Sequence, residues 1–271
     1  MSTLHSGRQL VKIRTIGLML ALLTGSAAAN ENVMKELAPT GKLRVALVFA
    51  PSMSVFFVVK EENGKPRGVT ADLAAALGMK FNLPVEPVLF PNSGLATDAV
   101  ESGAVDVAFM PVDEERKKRI AFGPNYVLGE STYMVTAASD AKTVDEVDRA
   151  GMRVIGIANT TTIRAAGRTL KNTTISAVTS VEEAVAALRG GKANAFALSR
   201  DSLPTYVKQV PGSRMVDGAF QQIGIAIAMA KGKPAALAAV SAFMDEAKKD
   251  GTVRKALDAA GYEVPVAPLT Q

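Results

Sequence analysis

The stretch Ala99-Val-Glu-Ser-Gly-Ala-Val-Asp-Val-Ala-Phe-Met-Pro-Val-Asp-Glu-Glu-Arg116-Lys-Lys-Arg-Ile-Ala-Phe-Gly-Pro-Asn-Tyr126-Val-Leu-Gly129 decides the fold. A helix tail closing at Gly103 feeds a short apolar strand, Val105 to Met110, which stops at Pro111 and gives way to Asp113 at the head of a charged helix. Strand, turn and helix start in that order set polar groups at the carboxyl edge of a sheet, where open α/β sheets bind small molecules. Phe122-Gly-Pro-Asn-Tyr126 then reads as an exit into a second body. The plan returns in Ala187-Leu-Arg-Gly-Gly-Lys-Ala-Asn-Ala-Phe-Ala-Leu198, which ends at Ser199-Arg200-Asp201. The two stretches predict the facing edges of two lobes, each with its own sheet.

The segments around them alternate. Leu43 to Val48 is strand-like, Thr70 is placed to cap a helix with Leu73, Leu77 and Phe81 on one face, Val85 to Phe90 is a strand, and Leu95 to Ser102 a helix. With Val105 to Met110 this makes β-α-β-α-β, hence a parallel sheet with right-handed crossovers. A second set follows Gly129. Arg153 to Ala158, Ile175 to Val178 and Ala193 to Leu198 are strands, and the helices between them begin at Asn159-Thr160-Thr161-Thr162 and at the capping box Ser180-Val-Glu-Glu183. Gln222 to Met229, a helix from Pro234 to Lys249 and another from Thr252 to Ala260 complete the chain, with a proline-bearing tail expected to be loose. The fold class is α/β in two lobes.

Residues 1–29 have the form of an export signal. Arg8, Lys12 and Arg14 precede the apolar run Ile16 to Leu23, and Ala27 and Ala29 suit cleavage. The run falls short of the ~20 apolar residues that span a bilayer. With those residues removed the net charge of +5 drops to +2, so nucleic-acid binding gains no support from the basic balance. The single histidine is His5, inside the signal, and the chain has no cysteine. That excludes histidine-based triads, Cys-His nucleophiles, His/Cys zinc sites and disulfides from the mature protein. No cofactor, metal or catalytic group is expected.

In this order and spacing, Gly41-Lys-Leu-Arg-Val45, Gly68-Val-Thr-Ala-Asp-Leu-Ala74, Ser102-Gly-Ala-Val-Asp-Val107, Glu115-Arg-Lys-Lys118, Ile223-Gly-Ile-Ala-Ile-Ala228 and Lys249-Asp-Gly-Thr-Val253 resemble the bacterial extracellular solute-binding proteins of amino-acid-type ABC transporters, family 3. The resemblance implies a type II periplasmic binding fold, with each lobe a mostly parallel sheet flanked by helices and two crossings between lobes. The first lobe would hold 30–126 and 220–271, the second 127–219. It further implies a periplasmic monomer that closes by hinge motion on a small-molecule solute and docks on a membrane permease.

Site residues follow from the same resemblance. Arg116 would clasp a ligand carboxylate, which a planar, charged fork does well. Thr160, Thr161 and Thr162 would cradle an anionic or carbonyl group at a helix start. Phe90, Asn92, Ser93 and Phe109 would wall the pocket. The family usually carries Ser or Thr where this chain has Pro111, an aromatic platform near Asn92, and Asp, holding the ligand ammonium, where this chain has Ser199. These departures argue against an ordinary α-amino acid and for a carboxylate or other anion. Asp201 stands two residues on as a substitute counter-charge, and Arg200 as a second anion clasp. The alternatives to these roles are structural: Arg116 as one cation among many on a solvated helix face, and Arg200 with Asp201 as a surface salt pair at a helix start. The same fold also resembles periplasmic dehydratases of cyclic acids. Only Glu130 and Asp201 are placed to serve as general acid there.

Overall fold

A computed structural model describes residues 30–269. The expected signal, residues 1–29, lies outside them, as do residues 270 and 271. Residues 30–37 form a helix, α1. The central strand β1 (Leu43–Phe49) runs parallel to β4 (Val85–Phe90) on one side and to β5 (Val107–Pro111) on the other. At its carboxyl end it also pairs with β2 (Phe57–Lys60), which turns back through β3 (Pro66–Arg67), a hairpin not foreseen from the sequence. Helices α2 (Val69–Phe81) and α3 (Ser93–Glu101) make the crossovers.

Local chemistry explains these elements. Leu43, Val45 and Leu47 are 2% exposed or less, so β1 is a core strand. Arg44 grips the fully buried Asp106 with two guanidinium nitrogens, at 3.0 and 2.7 Å, and with its own backbone N–H at 2.9 Å. This ties β1 to the approach of β5 and leaves the buried carboxylate paired, as low dielectric requires. The helix after β3 is capped at Gly68 and not at Thr70, which lies within its first turn with its hydroxyl directed to the Phe56 carbonyl. Gly68 has φ 145, a conformation open to glycine, so backbone freedom displaced side-chain capping here.

From α4 (Glu114–Arg119) the chain enters β6 (Ile120–Val135), a 16-residue strand. The second set contains α5 (Val144–Val147), β7 (Val154–Ile157), α6 (Thr161–Thr169), β8 (Ile175–Val178), α7 (Val181–Arg189), β9 (Ala195–Ser199), α8 (Leu203–Val207) and β10 (Arg214–Met215). Strand β11 (Gln221–Ala230) returns to the first set, followed by α9 (Pro234–Lys249) and α10 (Thr252–Ala259).

Hydrogen bonding is continuous along β3-β2-β1-β5-β11-β6-β9-β7-β8. This departs from the expectation of two separate sheets, and β6 and β11 are the reason. The start of β6 pairs with β11 beside β5, while its end, Ser131 to Val135, pairs with β9. The two strands belong to both halves and are the only strands that do so among the described residues. Register shifts on either side of Ala226 interrupt their ladder, a place where a pair of strands can bend. Nearby, the Asn125 amide packs against Gly224, where a Cβ would fall 2.3 Å from it and displace it.

The larger apolar cluster joins β1, β5 and α2 to Ile155, Phe196, Leu203 and Tyr206 of the second half, and a smaller one surrounds Tyr133, Val154 and Ala166. The tail is not loose where described. The Ala267 N–H donates to the Tyr126 carbonyl at 2.9 Å, and Val266 bridges to Val127.

Candidate functional site

The carboxyl ends of β5, β7 and β9 converge on one cleft between the halves, of about 650 Å³ counted out to solvent. At the first rim Pro111 ends β5, and the Asp113 side chain caps α4 by accepting from the Arg116 N–H at 2.8 Å. That cap starts a helix on which Arg116 alone turns inward, 2% exposed, while its neighbours Glu115 and Lys117 face solvent. Its guanidinium donates to the Pro111 carbonyl at 2.8 Å and to Ser93 Oγ at 2.6 Å. Burial pushes it down to about 9, opposed by nearby Asp113. The group is therefore a cation at neutral pH, and no ion pair to it occurs among the described residues.

At the second rim, Asp201 accepts from the Val55 N–H at 2.7 Å. Ser199 and Ser202 share a hydroxyl contact at 2.7 Å. Arg200 turns away, giving Nε to Glu130 at 3.0 Å and a further N–H to the Gly218 carbonyl. Burial raises the Asp201 carboxyl above its ordinary range, and the Val55 N–H partly offsets this. At the third edge Thr160 caps α6, accepting from Ile163 N at 3.2 Å and donating to the Ile157 carbonyl at 2.8 Å.

Side-chain contacts cross the cleft between the halves. Arg164 of α6 binds Asp113 through Nε at 2.8 Å and through a second guanidinium nitrogen. Ser52 donates to Thr205 at 2.8 Å, and Asn92 reaches the Thr179 carbonyl at 3.5 Å. Gly94 sits against Asn159, where a Cβ would come within 2.5 Å.

Of the residues singled out from the sequence, Asn92, Ser93, Pro111, Thr160, Thr161, Thr162, Ser199 and Asp201 line the cleft. Arg116 lies immediately behind Ser93 and Pro111. Phe90 ends β4 among partly buried apolar side chains, and Phe109, 2% exposed, packs edge-on against Tyr126 at 6.0 Å. Both are strand residues directed into packing, and Arg200 is drawn off by Glu130.

The sequence reading missed Val55, Phe56 and Phe57 as one wall and Ser131, Ile223 and Ile225 as the floor. The wall is a turn closed by Ser54, whose Oγ accepts from Phe56 N at 3.0 Å and Phe57 N at 2.7 Å. The adjacent Phe-Phe pair, rings 4.9 Å apart, was the available signal. Tyr126 donates to the Val55 carbonyl at 2.7 Å, so both sides of that residue are pinned.

Comparison with known proteins agrees with this geometry. A glutamine-binding protein of Geobacillus stearothermophilus is 24% identical over 211 residues, 75% of this chain and 78% of that protein. An ancestral arginine-binding protein bound to glutamine superposes with a TM-score of 0.71 at 29% identity, covering 81% of this chain and 97% of its own. An ancestral amino acid-binding protein, a precursor of cyclohexadienyl dehydratase, gives 0.72 at 26% identity, covering 83% and 98%. The cleft lies between two halves at their strand ends, and residues 48–259 match the bacterial extracellular solute-binding proteins, family 3, so the chain belongs to that family.

Proposed function

We propose that the protein is the periplasmic substrate-binding component of an ABC importer, taking a small solute that bears a carboxylate or comparable anion and is not an ordinary α-amino acid. Lobes 30–126 with 220–271 and 127–219 would hinge where β6 and β11 run together. The observation that carries the reading is Arg116, a buried cation without a carboxylate partner, one side chain behind the cleft wall. A buried charge left unpaired is costly, and an incoming anion relieves that cost. Ser93 already accepts from Arg116, so its own hydroxyl proton is free to reach the ligand and extend the positive field into the cleft. Ser199, in place of the family's usual Asp, supports the exclusion of an ordinary amino acid. The family supports a membrane permease as partner, and no helix among the described residues is long and apolar enough to cross a membrane.

The test is calorimetry on the signal-free protein with whatever carboxylate gives the largest thermal shift in a solute screen. Arg116→Ala is expected to weaken binding at least ~10-fold, the range of a charge-assisted hydrogen bond worth ~1.5–3 kcal/mol. Affinity unchanged in a variant with the native circular dichroism spectrum removes Arg116 from the site.

The dehydratase precursor among the structural relatives and the presence of Glu130 in the cleft wall favour a second reading, an enzyme acting on a cyclic acid. Glu130 is engaged by Arg200 in an ion pair rather than directed at a substrate. Turnover of a cyclic acid above background by the purified protein would reverse this ranking.

A further inference from the structure

Arg116 has a counterpart on the opposite rim. Asp201 lines the cleft half-buried, and no cation pairs with it among the described residues. The groups that hold its carboxylate are neutral donors: the Val55 N–H at 2.7 Å, the Ser199 hydroxyl and the backbone N–H groups of Asp201 and Ser202. Burial still raises it above its ordinary range, so these donors do not fully replace the water it has lost. A cation brought to it would relieve that cost. The other carboxylate in the cleft wall, Glu130, is already held by Arg200 at 3.0 Å.

Arg116 and Asp201 do not satisfy one another. Arg116 lies behind Ser93 and Pro111 of the first half, Asp201 follows β9 of the second, and no ion pair joins them. Asp113, Arg164 and Arg119 are the charges that act on Arg116, and no cation is among the groups that act most on Asp201. Attraction between opposite charges in a buried site is strong at short range, so the two groups stand well apart. An α-amino acid carries both charges on one carbon and needs its counter-groups to converge. Asp113, the carboxylate that acts most on Arg116, is taken by Arg164 and by the α4 cap, so it is not free to receive an ammonium beside the carboxylate. The rest of the wall mixes apolar Phe56, Ile157 and Ile225 with Ser131, Thr160 and Thr162, whose hydroxyls already bond within the protein. We propose that the solute is an extended zwitterion, with a carboxylate at the Arg116 and Ser93 end, an amine at Asp201 and several methylenes between them. Such a molecule touches both halves, so its binding draws the rims together. This rests on the proposed carboxylate reading and deepens it.

The experiment is calorimetry of the signal-free protein with probes of one chain length: 5-aminopentanoate, pentanoate, pentylamine and 2-aminopentanoate. The first is expected to bind at least ~10-fold more tightly than each of the others, since it alone meets both charges at a distance. Pentanoate as tight as 5-aminopentanoate overturns the amine and leaves the carboxylate reading standing. Pentylamine as the tightest overturns the carboxylate reading and the zwitterion with it. 2-Aminopentanoate as the tightest overturns the separation of the charges and, with it, the exclusion of ordinary amino acids. No binding of any probe overturns the extended zwitterion, and tight binding of a different monocarboxylate would then keep the carboxylate reading alone.

Asp201 has its own arm. Asp201→Asn keeps an amide oxygen for the Val55 N–H and removes the charge. In that variant 5-aminopentanoate is expected to lose ~10-fold or more and to fall within ~3-fold of pentanoate. Equal losses for the two ligands would make Asp201 a structural tie to Val55 and refute its role toward the amine.

Discussion

The rims that face each other across the cleft share one sequence plan and end with opposite assignments. Each has a helix tail, a buried strand, and then an aspartate and an arginine within a few residues. In both, the aspartate reaches across to the other half, Asp113 to Arg164 and Asp201 to the Val55 N–H. The arginines part company. Arg116 turns beneath its own strand end and is 2% exposed, whereas Arg200 lies along the surface and neutralises Glu130. The difference comes from where the helix begins. Asp113 caps α4 so that Arg116 stands one turn in, pointing back at Pro111, while Arg200 precedes any helix and has no turn to fold it inward. Both rims therefore make contacts across the cleft, and the first alone adds a buried positive end.

That asymmetry can be broken by substitution. The loss of at least ~10-fold expected for Arg116→Ala is the largest effect. Next comes the fastening at the first rim. Asp113→Ala removes both the α4 cap and the pair with Arg164, so a double-mutant cycle with Arg164→Ala is needed to isolate the pair. The coupling expected in ligand affinity is about 1 kcal/mol, or ~5-fold, for a pair that is mostly shielded from solvent. Additive losses would mean that closure does not use this contact. Smaller again is Arg200→Ala, expected to weaken an anionic ligand ~3-fold by leaving Glu130 unpaired in the cleft wall. Glu130→Gln in the same chain should restore the affinity. A loss that Glu130→Gln fails to repair would make Arg200 a direct clasp and erase the contrast with Arg116.

Much of this was legible in the chain. Periodicity and capping signals located most of the helices because those signals are local, though the Thr70 cap fell at Gly68 and the helices at 30–37 and Leu203–Val207 were not foreseen. The Asp113, Thr160 and Ser180 caps are all formed. The rims were legible for the same reason, since strand ends and helix starts lie next to one another in sequence. The Val55–Phe57 wall was not. It stands at the cleft where Tyr126, 71 residues away, and Asp201, 146 residues away, hold Val55 from its two sides. The burial of Arg116 was equally hidden in a run of charges, because its partners are the carbonyl of a proline and a serine 23 residues earlier. Phe109 shows the converse. Its place at a strand end near the cleft suited a pocket wall, but its ring packs edge-on against Tyr126 in the core.

The smallest expected effect concerns the second rim and its dependence on pH. Burial raises the Asp201 carboxyl above its ordinary range, so the folded chain binds this proton more readily than the unfolded one. By linkage, the contribution of Asp201 to stability is most favourable below the unfolded value of about 3.9 and declines as pH rises through the higher folded value. Carboxylates lowered by their partners, such as Asp140 and Asp148, act in the opposite direction but are common to both chains in a comparison with Asp201→Asn. The melting temperature of the Asn variant relative to the natural chain should therefore increase as pH is raised through that window and then level off. Thermal melts of the two proteins between acid and neutral pH read this directly. A difference that shrinks with rising pH would mean that the Val55 N–H stabilises ionised Asp201 by more than burial costs it. The second rim would then hold an anion as firmly as the first holds its cation.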